Sequence, residues 1–413
     1  MKIGLITQWY DPEPGPAALP GALARGLLAR GHEVQVLTAF PNYPSGVISP
    51  EYAGRLVMNE VLDGVHVRRT AVYPDHSASS VRRLQSYTSF GASASLLGTD
   101  ALRGCDALWV NYSPITVAWP MWLARFGLRI PAVLHVLDLW PDTLVHSGFA
   151  ERGRLGEAVR VACDVWCRAM YRSAHSVAYI APTVGRVLEG RGVDPAKLSY
   201  VPMWADEAVF RPSGDGYRSE LGLSSEDIVV VYAGAMGEAQ DVGSLIDAAV
   251  SIDDPRLKVV LAGSGAEERV LRSKADAAPR GNVRFLGRIP QAQMTALLGA
   301  ADVSYVSLRR HPLSAITMPS KTQAGLAAAK PLLVAADGDA RAVVTAQNVG
   351  FGASPEVESI ANALRAIVST GRGGLAAMGS RARRLYEDEF SVSAGVTRIE
   401  ALLAAAATGG ARQ

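Results

Sequence analysis

Glycine loops follow two short apolar segments of this chain, and each loop leads into a helical stretch. Residues 2–7 run into the Pro- and Gly-rich loop Asp11–Pro16, and residues 228–234 run into a loop that ends at Gly243. A strand that enters a glycine loop and then a helix exposes backbone N–H groups, which bind phosphate well. The repetition predicts two similar domains, with a phosphorylated ligand held in a cleft between them.

A dense polar cluster lies at the end of the apolar segment Ala132–Asp138. His135 lies within the segment, and Trp140 and Asp142 follow it directly. Ligands of doubly wound sheets bind beyond the carboxyl ends of the strands, so this position favours a functional role. The alternative is a helix N-cap formed by Asp142 beside a buried tryptophan, with His135 as a core imidazole.

A second polar group opens a predicted helix in the later half of the chain. Ser320 at the helix start and the adjacent Lys321 combine a cap, a helix dipole and an ammonium group, all of which favour phosphate. A solvated helix face is the alternative. Farther on, Asp339 either accepts hydrogen bonds from a sugar hydroxyl or caps the next helix. Residues 263–265 loosely match a dinucleotide fingerprint but lack its third glycine.

Short apolar segments alternate with helical patterns in both halves, which predicts parallel sheets covered on both faces. The exception is 55–73, where Asp63-Gly64 between alternating segments predicts an antiparallel hairpin. A Pro- and Gly-rich linker at Met203–Tyr217 separates the halves. A long helical stretch at 375–406 is expected to cross back to the first domain. We therefore expect an α/β fold with two Rossmann-like doubly wound domains, at 1–203 and 204–384, and a returning helix at 385–413.

Composition excludes several classes of protein. The 413 residues carry a net charge of only +2 without a dominant Lys/Arg run, which gives no sign of nucleic-acid binding. Cys105, Cys163 and Cys167 fit a reducing compartment better than a disulfide framework, and no histidine stands near the last two to complete a metal site. No signal-peptide pattern and no uncharged apolar run of spanning length is present. We expect a cytoplasmic protein that is not integral to a membrane.

Several stretches resemble one known family. The chain is similar, over nearly its whole length, to GT-B glycosyltransferases of family four, the retaining sugar-nucleotide transferases, and within them to the fucosamine-transferase-like subgroup of bacterial surface-polysaccharide biosynthesis. The resemblance is most specific in Phe-Pro-Asn-Tyr-Pro-Ser-Gly and Asp-Leu-Trp-Pro-Asp. The stretches that carry it are Gln8–Gly15, Arg30–Val34, Phe40–Gly46, Asp138–Asp142, Tyr232–Gly234, Gly237–Gln240, Pro319–Lys321 and Ala327–Pro331.

The resemblance implies an acceptor domain at 1–203 and a nucleotide-sugar domain at 204–384. Lys321, helped by Arg309 or Arg310, would offset diphosphate charge, and no metal or cofactor is expected beyond the donor substrate, which we expect to be UDP-linked. The implied catalytic residues are Lys321, His135, Asp138 and Asp142. The implied donor-binding residues are Gly15, Pro16, Gly234, Gly237, Glu238, Gly263, Arg288, Ile289, Arg309, Ser320, Lys321, Gly338, Asp339 and Ala340. The implied acceptor-binding residues are Tyr10, Glu13, Tyr43 and Trp140.

The sequence departs from the broad family at two places. Ile316 and Ala324 stand where the family carries a pair of glutamates, and the diphosphate arginine after the Tyr-Ala-Gly strand is absent. Two alternatives stay open, the first because it shares this architecture and the second because of these departures. One is a sugar-nucleotide 2-epimerase, which needs acid and base groups in the cleft. The other is a catalytically weak sugar-nucleotide-binding subunit.

The acceptor is either a lipid-linked glycan at the inner membrane face, as the subgroup implies, or a soluble natural product. Trp119, Met121, Trp122 and Phe126 lie near Arg125 and Arg129, and a second mixed stretch spans 160–172. Such mixtures sit at membrane surfaces, which predicts peripheral association. They also occur where core-packing faces carry arginines that extend to solvent.

Overall fold

The computed structural model describes residues 1–14, 19–75, 79–142, 154–214, 216–277 and 281–410. The chain divides into two compact units, Met1–Pro202 with Val392–Gln413, and Met203–Ser391. The first change of unit lies beside the predicted boundary at 203, and the chain re-enters the first unit at Val392 rather than at 385.

The first unit is built on one eight-stranded sheet. Its strands are Lys2–Ile6 (β1), Glu33–Ala39 (β2), Val57–Leu62 (β3), Val65–Thr70 (β4), Ala107–Asn111 (β5), Ala132–Val136 (β6), Ser176–Tyr179 (β7) and Leu198–Tyr200 (β8). Their spatial order is β3-β4-β2-β1-β5-β6-β7-β8. The helices with bounds in the described ranges are Leu19–Ala29 (α1), Ser80–Leu97 (α2), Ala118–Trp122 (α3), which runs on into a π-helical turn at Leu123–Gly127, Arg154–Ser173 (α4) and Pro182–Gly190 (α5).

Burial explains why the central strands β5 and β6 of this sheet are largely apolar. Every residue of β5 and β6 is buried, as expected for parallel strands covered on both faces. The hairpin predicted at Asp63-Gly64 is confirmed, because β3 pairs antiparallel with β4. Both residues have positive φ, as a two-residue hairpin turn requires. β4 in turn pairs parallel with β2, so the hairpin extends the main sheet instead of standing apart from it.

The second unit repeats the design with six parallel strands. They are Ile228–Ala233 (β9), Leu257–Ala262 (β10), Val283–Gly287 (β11), Val303–Ser307 (β12), Leu332–Ala335 (β13) and Gly350–Ala353 (β14), in the order β11-β10-β9-β12-β13-β14. The helices are Tyr217–Glu220 (α6), Val242–Val250 (α7), Glu268–Asp276 (α8), Gln291–Ala300 (α9), Ser320–Ala327 (α10), Asp339–Ala346 (α11) and Val357–Leu385 (α12). Counted within this unit, the order is the Rossmann order 3-2-1-4-5-6.

The end of the chain differs from the single helix predicted at 375–406. Helix α12 kinks at Gly371, which has a positive φ, and a π-helical turn at Tyr386–Phe390 ends it. Ser391 then adopts an extended conformation, and a new helix, Val392–Gly410 (α13), follows. The prediction missed this break because no proline or glycine marks it.

Helix α13 packs within the first unit. Its residues Val396, Ile399, Leu403 and Ala406 are buried at helical spacing. The helix contacts α1, β5 and β6. By length and composition alone, the stretch Val357–Gly409 holds a window apolar enough to span a membrane, of which 39% is buried inside the protein. The buried residues of α13 show that its apolar face is used in folding.

Candidate functional site

The strand order of the second unit places its loops at one edge. β9 and β12 are neighbours in the sheet, and their chain connections leave in opposite directions. Such a switch point opens a crevice at the carboxyl ends of the strands, where ligands of this architecture bind. The loop after β9 begins at Gly234 and the loop after β10 at Gly263, and α10 follows β12 with Lys321 in its first turn.

Lys321 lies against the end of β9. Its Nζ atom is 5.2 Å from the centroid of the Tyr232 ring, and a Cβ atom placed on Gly234 would come within 2.4 Å of the Lys321 Cε atom. No ion pair or hydrogen bond engages Nζ in the part of the chain that the structure describes. Desolvation lowers the pKa of the Lys321 ammonium group. The result is a partly buried cation without a carboxylate partner among the described residues, a position suited to an anionic ligand.

A recess of about 280 Å³ lies beside this lysine. Its lining includes Gly234, Gly263, Ser264, Arg288 and Ile289, so four residues predicted to bind the donor come together. Gly263 has a φ of +145°, and a Cβ atom there would lie 1.8 Å from the Gly234 carbonyl oxygen. Only glycine permits this approach of the two loops. The exposed Arg288 guanidinium and the half-buried Ile289 offer one charged and one apolar surface to a ligand.

Four other predicted donor residues lie at the starts of helices α10 and α11. Ser320 is exposed at the start of α10. Asp339 begins α11 and is 6% exposed. Gly338 precedes it with a φ of +90°, and a Cβ atom there would collide with the Ala315 carbonyl oxygen. The side chain of Ala340 lies in the interior, so only its backbone is able to meet a ligand.

The arginines predicted to help Lys321 are already paired. Arg309 forms an ion pair with Glu238, and both side chains are largely exposed. Arg310 contacts Asp337 at 3.0 Å and Glu356 at 2.9 Å. The Gly237 amide donates to the Gln240 side chain at 3.1 Å, which closes the loop on itself. Among these three cations, Lys321 is therefore the one whose charge is available to a diphosphate.

The structure does not support His135 as a catalytic residue. The ring is completely buried in β6, with Nε2 2.9 Å from the Val201 carbonyl oxygen. The Trp109 indole donates to Nδ1 at 3.4 Å, so Nε2 carries the proton and donates to Val201. Burial lowers the pKa of His135 to about 4. It is the neutral core imidazole of the alternative interpretation.

The two aspartates after β6 differ. The Asp142 carboxylate is paired with Arg191, and Arg191 also donates to the Trp140 carbonyl oxygen, so the pair fixes the loop after β6. Asp138 reaches solvent and accepts a hydrogen bond from the Ser113 hydroxyl at 2.8 Å. The surrounding protein nevertheless desolvates its carboxyl group and raises the pKa of Asp138, while the Ser113 bond acts in the opposite direction. Ser113 was not predicted, because it follows β5 without a motif.

Most predicted acceptor residues serve the interior. The Glu13 carboxylate is 3% exposed and accepts backbone N–H bonds from Tyr10 at 3.0 Å and from Asn42 and Tyr43 at 2.8 Å each. It ties the loop after β1 to the loop after β2. Tyr10 is 1% exposed and Trp140 is 8% exposed, so neither ring offers a face to an acceptor.

The remaining predictions in the first unit concern three residues. Tyr43 is half-buried and stays a candidate for acceptor binding. Gly15 and Pro16 lie outside the described residues.

Comparisons with known proteins agree with this architecture. Residues 15–204 match the "Glycosyl transferase 4-like domain" family and residues 215–385 match "Glycosyl transferases group 1". Both family models describe glycosyltransferases, one for each half of the chain, and the fold is that of GT-B glycosyltransferases. The enzyme is 27% identical to the putative colanic acid biosynthesis glycosyl transferase WcaI of Escherichia coli (strain K12), over 78% of this chain and 80% of that one.

Solved structures show the same fold at lower identity. Sucrose-phosphate synthase from Thermosynechococcus elongatus is 19% identical, with a TM-score of 0.68, and 98% of each chain is covered. HepE from Anabaena, solved with UDP and glucose, is 16% identical with a TM-score of 0.66, and 98% of this chain and 100% of that chain are covered. The glycosyltransferase therefore has the predicted pair of Rossmann-like domains. Within its family, the fucosamine-transferase-like subgroup stays a prediction from motifs.

Proposed function

We propose that the enzyme transfers a hexosyl or N-acetylhexosaminyl group from a UDP-sugar, with retention at the anomeric carbon, to a lipid-linked glycan. Lys321 is the observation that carries the proposal, because its ammonium group lies at the switch point of the second unit without a carboxylate partner in the described residues. UDP as the nucleotide is supported by the complex of HepE with UDP and glucose. The name of the relative WcaI supports a polysaccharide product.

The proposed chemistry needs charge stabilisation more than a protein nucleophile. As the bond between sugar and diphosphate breaks, negative charge develops on the leaving oxygen, and the Lys321 ammonium group and the N-terminal turn of α10 would stabilise it. The acceptor hydroxyl would attack from the face of the sugar that the diphosphate leaves. The departing diphosphate would accept the proton of that hydroxyl. With the cationic and dipolar groups in place, we propose that no metal ion is required.

Ligand binding tests the donor site directly. UDP binding to the native state raises the melting temperature by mass action. We expect Lys321→Ala to abolish most of that increase and to lower turnover by about a hundredfold, the usual effect of removing one charge-stabilising donor. Lys274→Ala is the matched control, because Lys274 is an exposed lysine of α8 whose charge is already paired with Asp247 of α7. An unchanged UDP response in Lys321→Ala would remove the lysine from the site.

Stereochemistry and metal dependence are tested separately. NMR of the product formed before anomeric equilibration shows retention or inversion, and inversion would refute the proposed mechanism. Activity that is lost in EDTA and restored by a divalent cation would refute metal independence. We place the enzyme in the cytoplasm at the inner face of the membrane, and a product formed only with a soluble acceptor would contradict the lipid-linked assignment.

A further inference from the structure

One surface of the first unit exposes large apolar side chains on adjacent elements. On α2, Val81 is 66% exposed and Leu96 is 83% exposed; on the π-helical turn after α3, Leu123 is 48% exposed and Phe126 is 67% exposed. α2 and α3 pack against each other, and Leu96, Leu123 and Phe126 line one groove, so these three side chains belong to one face. We call this the α2–α3 face. The core-packing alternative for this stretch holds for Met121, which is fully buried, but not for Leu123 or Phe126.

An apolar groove runs along the α2–α3 face. It has a volume of about 520 Å³ and is lined by Leu96, Trp119, Trp122, Leu123 and Phe126, among others. The Trp122 indole donates to Ser173 Oγ at 2.9 Å, which fixes its ring at the edge of the groove. Tryptophan is enriched at membrane interfaces, where its ring meets apolar groups and its N–H group finds a polar partner.

The charges on these elements all have one sign. Residues 79–99 and 107–137 contain no aspartate or glutamate. Arg82 and Arg129 are exposed, and neither forms an ion pair in the described ranges. The Arg125 guanidinium lies 6.0 Å from the Phe126 ring centroid. Exposed apolar side chains on segments that carry arginines and no carboxylates complement a surface that is negatively charged and apolar beneath.

The second mixed stretch at 160–172 provides a contrast. There Arg160 pairs with Glu157 at 2.5 Å and Arg168 with Asp164 at 2.7 Å, while Met170 is buried. Val161 and Val165 on this helix are also exposed, so α4 differs from the α2–α3 face chiefly in its carboxylates, which pair with two of its arginines.

Helix α2 also connects this face with the loop after β1. Gln8 donates to the Ser86 hydroxyl at 3.3 Å, and the rings of Trp9 and Tyr87 pack edge to face at 6.3 Å. A bilayer on the α2–α3 face would therefore lie next to the loop at the carboxyl end of β1, the edge of the sheet at which ligands of this architecture bind.

We propose that the α2–α3 face docks on an anionic phospholipid bilayer, with Leu96, Leu123 and Phe126 inserted among the acyl chains and Arg82 and Arg129 against the headgroup phosphates. The inference deepens the proposed function, since it rests on a lipid-linked acceptor. A soluble partner protein would leave the purified enzyme unbound to lipid.

Vesicle co-sedimentation of the full-length enzyme tests the docking. We expect binding to vesicles of phosphatidylglycerol and phosphatidylcholine, weaker binding at high salt, and little binding to phosphatidylcholine alone. The double variant Leu123→Glu with Phe126→Glu should reduce the partition coefficient tenfold or more, and removal of Arg82 or Arg129 by substitution with Gln about fivefold for each arginine. The side chains of Leu123 and Phe126 are both exposed, so we expect the double variant to fold.

Matched controls come from the second unit. Val270 on α8 is 64% exposed and Arg269 is its exposed neighbour, so Val270→Glu and Arg269→Gln make the same chemical changes elsewhere. We expect both to bind vesicles like the wild type. Equal losses in the control variants, or wild-type enzyme that stays in the supernatant with anionic vesicles, would overturn the docking. UDP-induced stabilisation, measured without lipid, reports on the donor site independently, so the two proposals fail by different measurements.

Discussion

The positive charge of Lys321 is unfavourable in the folded, ligand-free enzyme and favourable when an anionic ligand binds. Desolvation lowers the pKa of its ammonium group, which means that the charged form is less stable there than in water. An anionic ligand reverses this disadvantage by supplying the missing opposite charge.

We therefore expect Lys321→Met to leave the free energy of unfolding of the ligand-free enzyme unchanged or higher, while UDP no longer raises the melting temperature. The methionine keeps the apolar stem without the charge. Urea unfolding with and without UDP measures both effects. A variant that is clearly less stable without ligand would show that the ammonium group stabilises the fold.

His135 predicts a pH dependence of stability. Its pKa in the folded protein is about 4 and its ordinary value is 6.5, so the unfolded chain takes up the proton first as the pH falls. The stabilisation is complete above pH 6.5 and is lost as the pH falls toward 4, at about 1.4 kcal/mol per pH unit. We expect the free energy of unfolding, measured with urea at several pH values, to depend less steeply on pH in His135→Gln, by the amount that the uptake of one proton causes. His66→Gln, at an exposed position on β4, is the control for the substitution itself.

Sequence alone separates these two residues only in part. Lys321 is predictable because a serine and a lysine at a helix start favour an anion whatever the surroundings. His135 is ambiguous, because a histidine in a strand has the same pattern whether its ring points into the core or toward a ligand. The ion pairs of Asp142 with Arg191 and of Glu238 with Arg309 join residues far apart in the chain, and no local pattern indicates them.

At the scale of elements, the returning helix α13 shows how the end of the described chain stabilises the first unit. Glu400 lies 2.6 Å from both Arg30 and His32, which follow α1, and Leu403 is fully buried. Truncation of a buried leucine typically costs about 2–5 kcal/mol, from lost burial and the cavity left behind. We expect Leu403→Ala to fall in that range and its neighbour Leu402→Ala, which is half-buried, to cost less. Chemical denaturation measures both, and equal costs would contradict the packing of α13.

Most strands and helices were predictable, because a parallel sheet covered on both faces needs apolar runs and the helices between them need a periodic face. The predicted strand at Ala107–Asn111 coincides with β5. The turn at Tyr386–Phe390 was not predictable, since its residues continue the helical pattern and only tertiary packing ends the helix.

At the scale of the whole molecule, the two units differ in continuity. The second is a single stretch, Met203–Ser391, with its own core, whereas the first is completed by Val392–Gln413. We expect a fragment of residues 203–391 to fold and to show UDP-dependent stabilisation. We expect residues 1–202 alone to be largely unfolded, because burial of Val396, Ile399 and Leu403 contributes roughly 5–9 kcal/mol, an amount similar to the stability of a whole domain. Circular dichroism and thermal melting of both fragments test this. A cooperative melt of residues 1–202 would contradict it.

The discontinuity of the first unit also sets an order of assembly during translation. Domains usually become complete in the order in which they are synthesised. Here the stretch Met203–Ser391 leaves the ribosome before Val392–Gln413, so the first unit must wait, with the place of α13 unfilled, until these later residues have been synthesised. A stop codon introduced directly after Ser391 would thus damage the part of the enzyme that was translated first.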